Sequence, residues 1–343
     1  MSGWEPDVLT GYWQRTFALG PDPDGEGELE ATLVRRGAAD PSARHAVLLV
    51  HGYTDYFFHT ELADRFAARG FACYALDLHK CGRSHRAGQT PHFTTDLARY
   101  DVELELAVEA ITAASAADIL VCGHSAGGLV VSLWLDRVRR AGRTAALGVS
   151  GLVLNSPFLD LHGPAVLRSA PTSAALRAMG RLRARSVVRR PGEGGYGTSL
   201  HREYSGEFDY DLSWKPIGGF PVTFGWLDAV RRAQARVHRG LDVGVPNLIL
   251  RSDHSVREVA DAQMLQRGDA VLDVAQIARW AGCIGNRSTV VPIVDAKHDV
   301  FLSLAGPRAA AYAELDRWLD WYLTDHLGET PGTTPSERNQ GHG

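Results

Sequence analysis

Residues 118–135, Asp118-Ile119-Leu120-Val121-Cys122-Gly123-His124-Ser125-Ala126-Gly127-Gly128-Leu129-Val130-Val131-Ser132-Leu133-Trp134-Leu135, read as a buried strand, a turn of small residues and a helix. The run 118–123 is continuously apolar after its first residue, as a strand covered on both faces must be. Residues 129–135 are apolar over a length that a helix can bury. Between them Gly123, Gly127 and Gly128 surround Ser125. A strand-to-helix turn this sharp strains its central residue, and only small neighbours let the adjoining backbone pass. It also leaves the first N–H groups of the helix beside any negative charge that forms on the serine. Ser125 is therefore the candidate nucleophile.

A nucleophilic serine needs a base and oxyanion donors at the same sheet edge. His51-Gly52-Tyr53-Thr54-Asp55 follows the apolar run 45–51, and its glycine lets the loop fold over the carboxyl end of the sheet. The backbone N–H groups of Tyr53 and Ala126 are the expected oxyanion hole. His51 reads as a hydrogen-bond donor that fixes this loop. Of the 14 histidines, His298 is the one that directly follows the last core strand, residues 289–295, and so emerges at the edge where open α/β sheets gather their catalytic groups.

The acid partner has three candidates. Asp253 sits immediately after the strand at 245–251, a natural address for it. Asp269 precedes His298 by 29 positions, room for one helix (274–281) and one strand, whereas Asp253 leaves 45. The shorter interval favours Asp269, with Asp253 left to hold its loop through backbone N–H groups and residues 254–268 as an insertion. Asp273 is the third candidate.

The same rhythm of short apolar runs and longer amphipathic ones extends along the chain: strands at 45–51, 71–77, 118–123, 151–155, 245–251 and 289–295, and a helix at 96–114. This predicts an α/β fold with a mostly parallel central sheet flanked by helices. Residues 13–36 alternate and suggest an antiparallel hairpin at the sheet edge, closed by the turn-rich 20–25. Between 157 and 244 the rhythm lapses into a basic helical patch, a glycine-rich loop and many aromatics, too long for a loop. The expected organisation is a core of 1–156 and 245–327, a cap inserted at 157–244, and a disordered tail at 328–343. Tyr210, Trp214 and Trp226 are the cap aromatics expected to line a substrate pocket.

Composition narrows the partners. With 343 residues, 45% hydrophobic, 36 basic and 40 acidic side chains and a formal charge of −4, the chain can bury a large core and favours neither nucleic acid nor an anionic surface. No segment reaches the roughly 18 consecutive apolar residues of a membrane span, and no basic-then-apolar leader opens the sequence, so a cytoplasmic protein is the expectation. Cys73, Cys81, Cys122 and Cys283 form no CxxC pair and read as reduced and structural. No metal or organic cofactor is called for, and the sequence does not specify an oligomeric state.

Together, His51-Gly52, Asp77-Leu78-His79-Lys80-Cys81-Gly82-Arg83-Ser84, Gly123-His124-Ser125-Ala126-Gly127 and His298-Asp299 resemble the α/β-hydrolase superfamily, and within it the monoacylglycerol lipase and lysophospholipase-like branch that is also grouped with serine aminopeptidases. The resemblance covers about residues 30–325. It implies an α/β-hydrolase fold and the catalytic order Ser, Asp, His, which Ser125, Asp269 and His298 satisfy. Family acids usually open an Asp-x-hydrophobic-hydrophobic stretch, as Asp269-Ala270-Val271-Leu272 does. The implied activity is that of a serine esterase, a carboxylic ester hydrolase working through an acyl-enzyme on a small or medium-sized apolar substrate. A thioesterase or peptidase would use the same triad. A ligand-binding protein that kept the fold without turnover is the reading from a different class. The cap, with 201–211 and Trp214-Lys215-Pro216, does not read as a lipid-docking helix, which counts against long-chain lipids.

Overall fold

A computed structural model describes residues 3–115, 117–192, 194–256 and 261–328. The expected tail lies, from 329 on, outside the described residues. The elements in chain order are β1 (Glu5–Pro6), β2 (Tyr12–Pro21), β3 (Glu28–Arg36), β4 (His45–Val50), α1 (Thr60–Ala68), β5 (Phe71–Asp77), α2 (Asp101–Ala114), β6 (Asp118–His124), α3 (Ala126–Arg140), α4 (Thr144–Leu147) and β7 (Val149–Asn155). After these come α5 (Ala170–Leu182), β8 (Val187–Arg189), α6 (Tyr196–Leu200), β9 (Val222–Thr223), α7 (Phe224–Val237), β10 (Asn247–Ser252), α8 (Ala262–Leu265), α9 (Val274–Trp280), β11 (Ser288–Ile293) and α10 (Ala305–Trp321).

Among the described residues nine strands form one sheet in the order β1-β2-β3-β5-β4-β6-β7-β10-β11. From β5 to β11 all neighbours are parallel, and β1, β2 and β3 add an antiparallel edge through the predicted hairpin. The pleat divides the core. Along β4, Ala46, Leu48 and Val50 face one layer with Ile119, Val121, Leu152, Leu154 and Ile249. Val47 and Leu49 face the other with Leu120, Cys122, Val153, Leu248 and Leu250. Successive side chains of a strand point to opposite faces, so the interior runs had to be apolar throughout, whereas β11 at the edge is largely exposed.

The helices complete both layers. On α1, Leu62, Ala63 and Phe66 form one stripe, and on α10 Ala311, Tyr312, Leu315, Trp318 and Leu319 repeat at helical spacing; both stripes cover the second layer. On the first, α3 is apolar nearly all round because the sheet lies on one side and α7 on the other, and Trp134 is fully buried there. All four cysteines are free thiols, Cys73, Cys81 and Cys122 buried and Cys283 partly so.

Within 157–244, the segment expected to form the cap, one helix packs with the core. Trp226, Ala229, Val230, Ala233 and Val237 of α7 belong to the main core, so this helix is part of the α/β layer system although it lies within 157–244. Its pattern is obscured by Arg231, buried against Asp160 at 2.7 Å, and by buried Gln234. Before α7, β8 and β9 pair antiparallel. Among the described residues no helix is long and apolar enough to cross a membrane.

Candidate active site

Ser125 stands between β6 and α3 with φ 51° and ψ −118°, a backbone region that non-glycine residues rarely occupy. Its peptide is held from both sides: Ser125 N donates to Asn155 O at 3.0 Å, and Phe158 N donates to Ser125 O at 3.0 Å. The neighbouring glycines are there for lack of space. A Cβ on Gly127 would lie 2.2 Å from His51 O and 2.6 Å from Val50 O, and one on Gly123 would lie 2.7 Å from Val131 Cγ2. Gly127→Ala therefore drives a methyl group into the end of β4. It is expected to cost about 3 kcal/mol, the upper end of overpacking penalties, read as a loss in urea or thermal unfolding; a variant as stable as the parent would contradict this packing.

The loop after β4 is fixed by groups that the motifs supply. His51 is buried, with Nδ1 2.8 Å from Gly52 O and Nε2 accepting from Leu78 N at 3.1 Å. Both ring nitrogens are thus committed to the loop, the role expected of it. Asp77 accepts from Phe57 N at 2.8 Å and Arg83 N at 3.0 Å, and Arg83 donates to Asp77 at 2.9 Å and to Phe57 O at 2.9 Å. Gly82, at φ 46°, lets this turn close, since a Cβ there would sit 2.5 Å from Asp77 Oδ2 and Tyr56 Cβ. The Asp77–Ser84 motif is a brace beneath residues 53–58. Gly52 in turn approaches Ser125 so closely that a Cβ would lie 2.9 Å from Ser125 Cβ, which brings the backbone leading into Tyr53 to the serine.

His298 follows β11 at the same edge, buried. Its Nδ1 lies 2.9 Å from Asp269 Oδ2, while the other Asp269 oxygen accepts from Val271 N at 2.8 Å and Leu272 N at 2.7 Å. An acceptor at Nδ1 puts the ring proton there and leaves Nε2 the basic nitrogen. That nitrogen is buried and makes no hydrogen bond. His124, the neighbour of Ser125, has its ring centroid 4.9 Å from that of His298. Burial lowers the His124 pKa to about 4, so it is neutral and does not oppose a charge on His298.

The structure brings Asp269, not Asp253 or Asp273, to His298. Asp253 is exposed, accepts from Asp295 N at 3.0 Å and lies beside His254. Asp273 caps α9 through Ala275 N at 3.0 Å. Residues 254–256 and 269 pair across the base of the insertion: Asp269 N donates to His254 O at 3.0 Å and Val256 N to Asp269 O at 2.9 Å. The chain thus returns Asp269 to the end of β10, the very address that Asp253 occupies in sequence.

The cap aromatics divide. Trp226 packs at a tilt on Tyr53 at 4.1 Å between centroids and stacks against Phe158, next to the Ser125 peptide, at 6.5 Å. Tyr210 and Trp214 instead pack on Phe58 (4.9 Å) and Tyr56 (5.1 Å), in a cluster with Leu200 and Leu302. These contacts join 201–214 to the loop after β4. Four groups received no role from the sequence. Tyr196 stands edge-on to His298 at 5.6 Å and accepts from Asp299 N at 3.0 Å. Asn155 binds Asp299 at 2.6 Å. Buried Lys215 meets buried Asp55 at 2.7 Å. Burial pushes the Asp55 carboxyl up, but Lys215 and nearby histidines outweigh it and hold the carboxyl well below its usual range. Among the described residues no cluster of three or more His, Cys, Asp or Glu could hold a metal.

No curated protein matches the sequence. Solved structures of similar fold include a monoglyceride lipase from Saccharomyces cerevisiae, at 16% identity and TM-score 0.59 over 90% of this chain and 96% of that one. A monoacylglycerol lipase from Paleococcus ferrophilus aligns at 16% identity and TM-score 0.56, over 90% and 98%. A carboxyl esterase from Bacillus coagulans aligns at 11% and 0.57, over 91% and 99%. These likenesses establish the α/β-hydrolase fold. The profile of the serine aminopeptidase S33 family matches residues 41–267, two thirds of the sequence and the segment that holds the Ser125 turn. The chain belongs to the serine aminopeptidase S33 family of α/β-hydrolases.

Proposed function

We propose that the protein is a serine hydrolase that cleaves carboxylic esters of small or medium-sized apolar substrates through an acyl-enzyme. One observation carries this reading: at the edge where Ser125 occupies its strained turn, His298 has Nδ1 on the Asp269 carboxylate and a free, basic Nε2. Neutral His298 takes the Ser125 proton as Oγ attacks the ester carbonyl. Asp269 fixes the tautomer and stabilises the imidazolium. The amides of Tyr53 and Ala126 receive the oxyanion, Ala126 at the first turn of α3 where the helix dipole adds positive potential. His298 then protonates the departing alcohol, and water repeats the sequence to release the acid.

The apolar wall formed by Trp226, Tyr53 and Phe158 supports an acyl or aryl group of modest size. The structural neighbours include lipases and an esterase, which agrees with ester chemistry. A series of p-nitrophenyl esters from acetate to palmitate, with matched thioesters and aminoacyl amides, tests the assignment. The expected result is kcat/KM highest for esters of two to eight carbons. A preference for thioesters or amides would move the protein to the thioesterase or peptidase reading, and turnover of none of them would contradict hydrolase function.

A further inference from the structure

The four residues that follow Gly52 are each tied to the cap. Tyr53 Oη donates to Pro221 O at 2.6 Å, Phe220 N donates to Thr54 Oγ1 at 2.9 Å, and Asp211 N donates to Tyr56 Oη at 2.7 Å. The fourth tie is charged. Lys215 Nζ donates to Asp55 Oδ1 at 2.7 Å and to Thr54 O at 3.3 Å, and the other Asp55 oxygen accepts from Gly52 N at 3.4 Å. One ammonium group therefore grips the chain on both sides of Tyr53: through Asp55 it holds the amide of the preceding residue, and directly it holds the carbonyl of the following one. Thr54 has φ 52° without being glycine, a conformation that persists only where its surroundings impose it.

Lys215 is built in. It is 7% exposed and Asp55 1%, and its charge lies over the rings of Phe58 at 5.5 Å and Tyr210 at 5.8 Å. A lysine facing water on an insertion would need none of this. Removing either partner leaves an unpaired charge in a dry site, whereas removing both together need not.

We propose that Lys215 is a positioning residue for the oxyanion hole: clamping Asp55 and Thr54, it sets the direction of the Tyr53 amide, so the cap completes the catalytic machinery as well as covering it. This rests on the reading of Ser125 as nucleophile and of the Tyr53 amide as an oxyanion donor, and it assigns the cap a part in kcat that a pocket wall would not have. Lys215 touches no reacting atom in this arrangement.

The test compares the wild type with Lys215→Met and with the charge-balanced double variant Lys215→Met/Asp55→Asn, on p-nitrophenyl butyrate, with an alkyl trifluoromethyl ketone as tetrahedral-intermediate mimic. The expected result is a fall in kcat on the order of 100-fold, the lower end of what loss of an oxyanion donor costs, with KM changed by less than about threefold and ketone affinity weakened by the same factor as kcat/KM. Where the single variant fails to fold, the double variant carries the comparison and is expected to show the same loss. A folded variant with kcat within about threefold of the wild type overturns the proposal, as does a loss confined to KM. Fluorophosphonate labelling separates the two levels: an unlabelled wild-type Ser125 refutes the nucleophile itself, while wild-type and variant serines labelled at equal rates refute only the role of Lys215.

Discussion

Ser125→Ala is expected to lower kcat for p-nitrophenyl esters by about 10⁶-fold, the loss found when the nucleophile of a dissected triad is removed. In the proposed mechanism His298 is the base, and His124, held at neutral pH in its uncharged form by burial, faces Asn155 O at 3.1 Å through Nδ1. The backbone of the turn is held by Asn155 O and Phe158 N rather than by the serine hydroxyl, so the variant is expected to fold with stability within about 1 kcal/mol of the parent. Steady-state kinetics beside a urea denaturation curve checks both halves. A stable variant that keeps its activity would remove Ser125 from the mechanism.

Asp269→Asn is expected to reduce kcat by about 10⁴-fold, the cost of presenting the base in the wrong tautomer. In this site the change is nearly isosteric. The amide oxygen can keep the bonds from Val271 N and Leu272 N, which sets the NH₂ group against His298 Nδ1. His298 must then accept at Nδ1 and carry its proton on Nε2, where it can no longer take one from serine. The matched control is Asp253→Asn, whose carboxylate is exposed and bonded to Asp295 N and His254; it is expected to stay within about threefold of wild type. The two variants assayed side by side separate the candidate acids, and equal losses, or a larger loss at 253, would reverse the assignment.

How much of this was legible in the sequence depended on whether a residue's role is set by its neighbours along the chain. The Ser125 turn was, because strand, small residues and helix adjoin one another, although the clash that keeps Gly127 small comes from the end of β4. The parallel strands were, because burial on two faces demands an unbroken apolar run. The nearness of Asp269 to His298 was reached by interval rather than by address, and the reason is physical: short pairing at 254–256 and 269 brings Asp269 to the end of β10, so sequence adjacency and spatial adjacency diverge. Contacts that depend on distant partners could not be read from the sequence. Arg231 is buried on α7 only because Asp160 pairs with it, Tyr210 and Trp214 pack on Phe58 and Tyr56, and Lys215 meets Asp55, 160 positions earlier.

The central claim is that Ser125 is an activated nucleophile, and covalent trapping tests it most directly. Wild-type protein treated with a fluorophosphonate and analysed by intact mass and peptide mapping is expected to gain a single adduct on Ser125, absent from Ser125→Ala and formed far more slowly in Asp269→Asn. An unmodified protein, or an adduct on any other residue, would contradict the account.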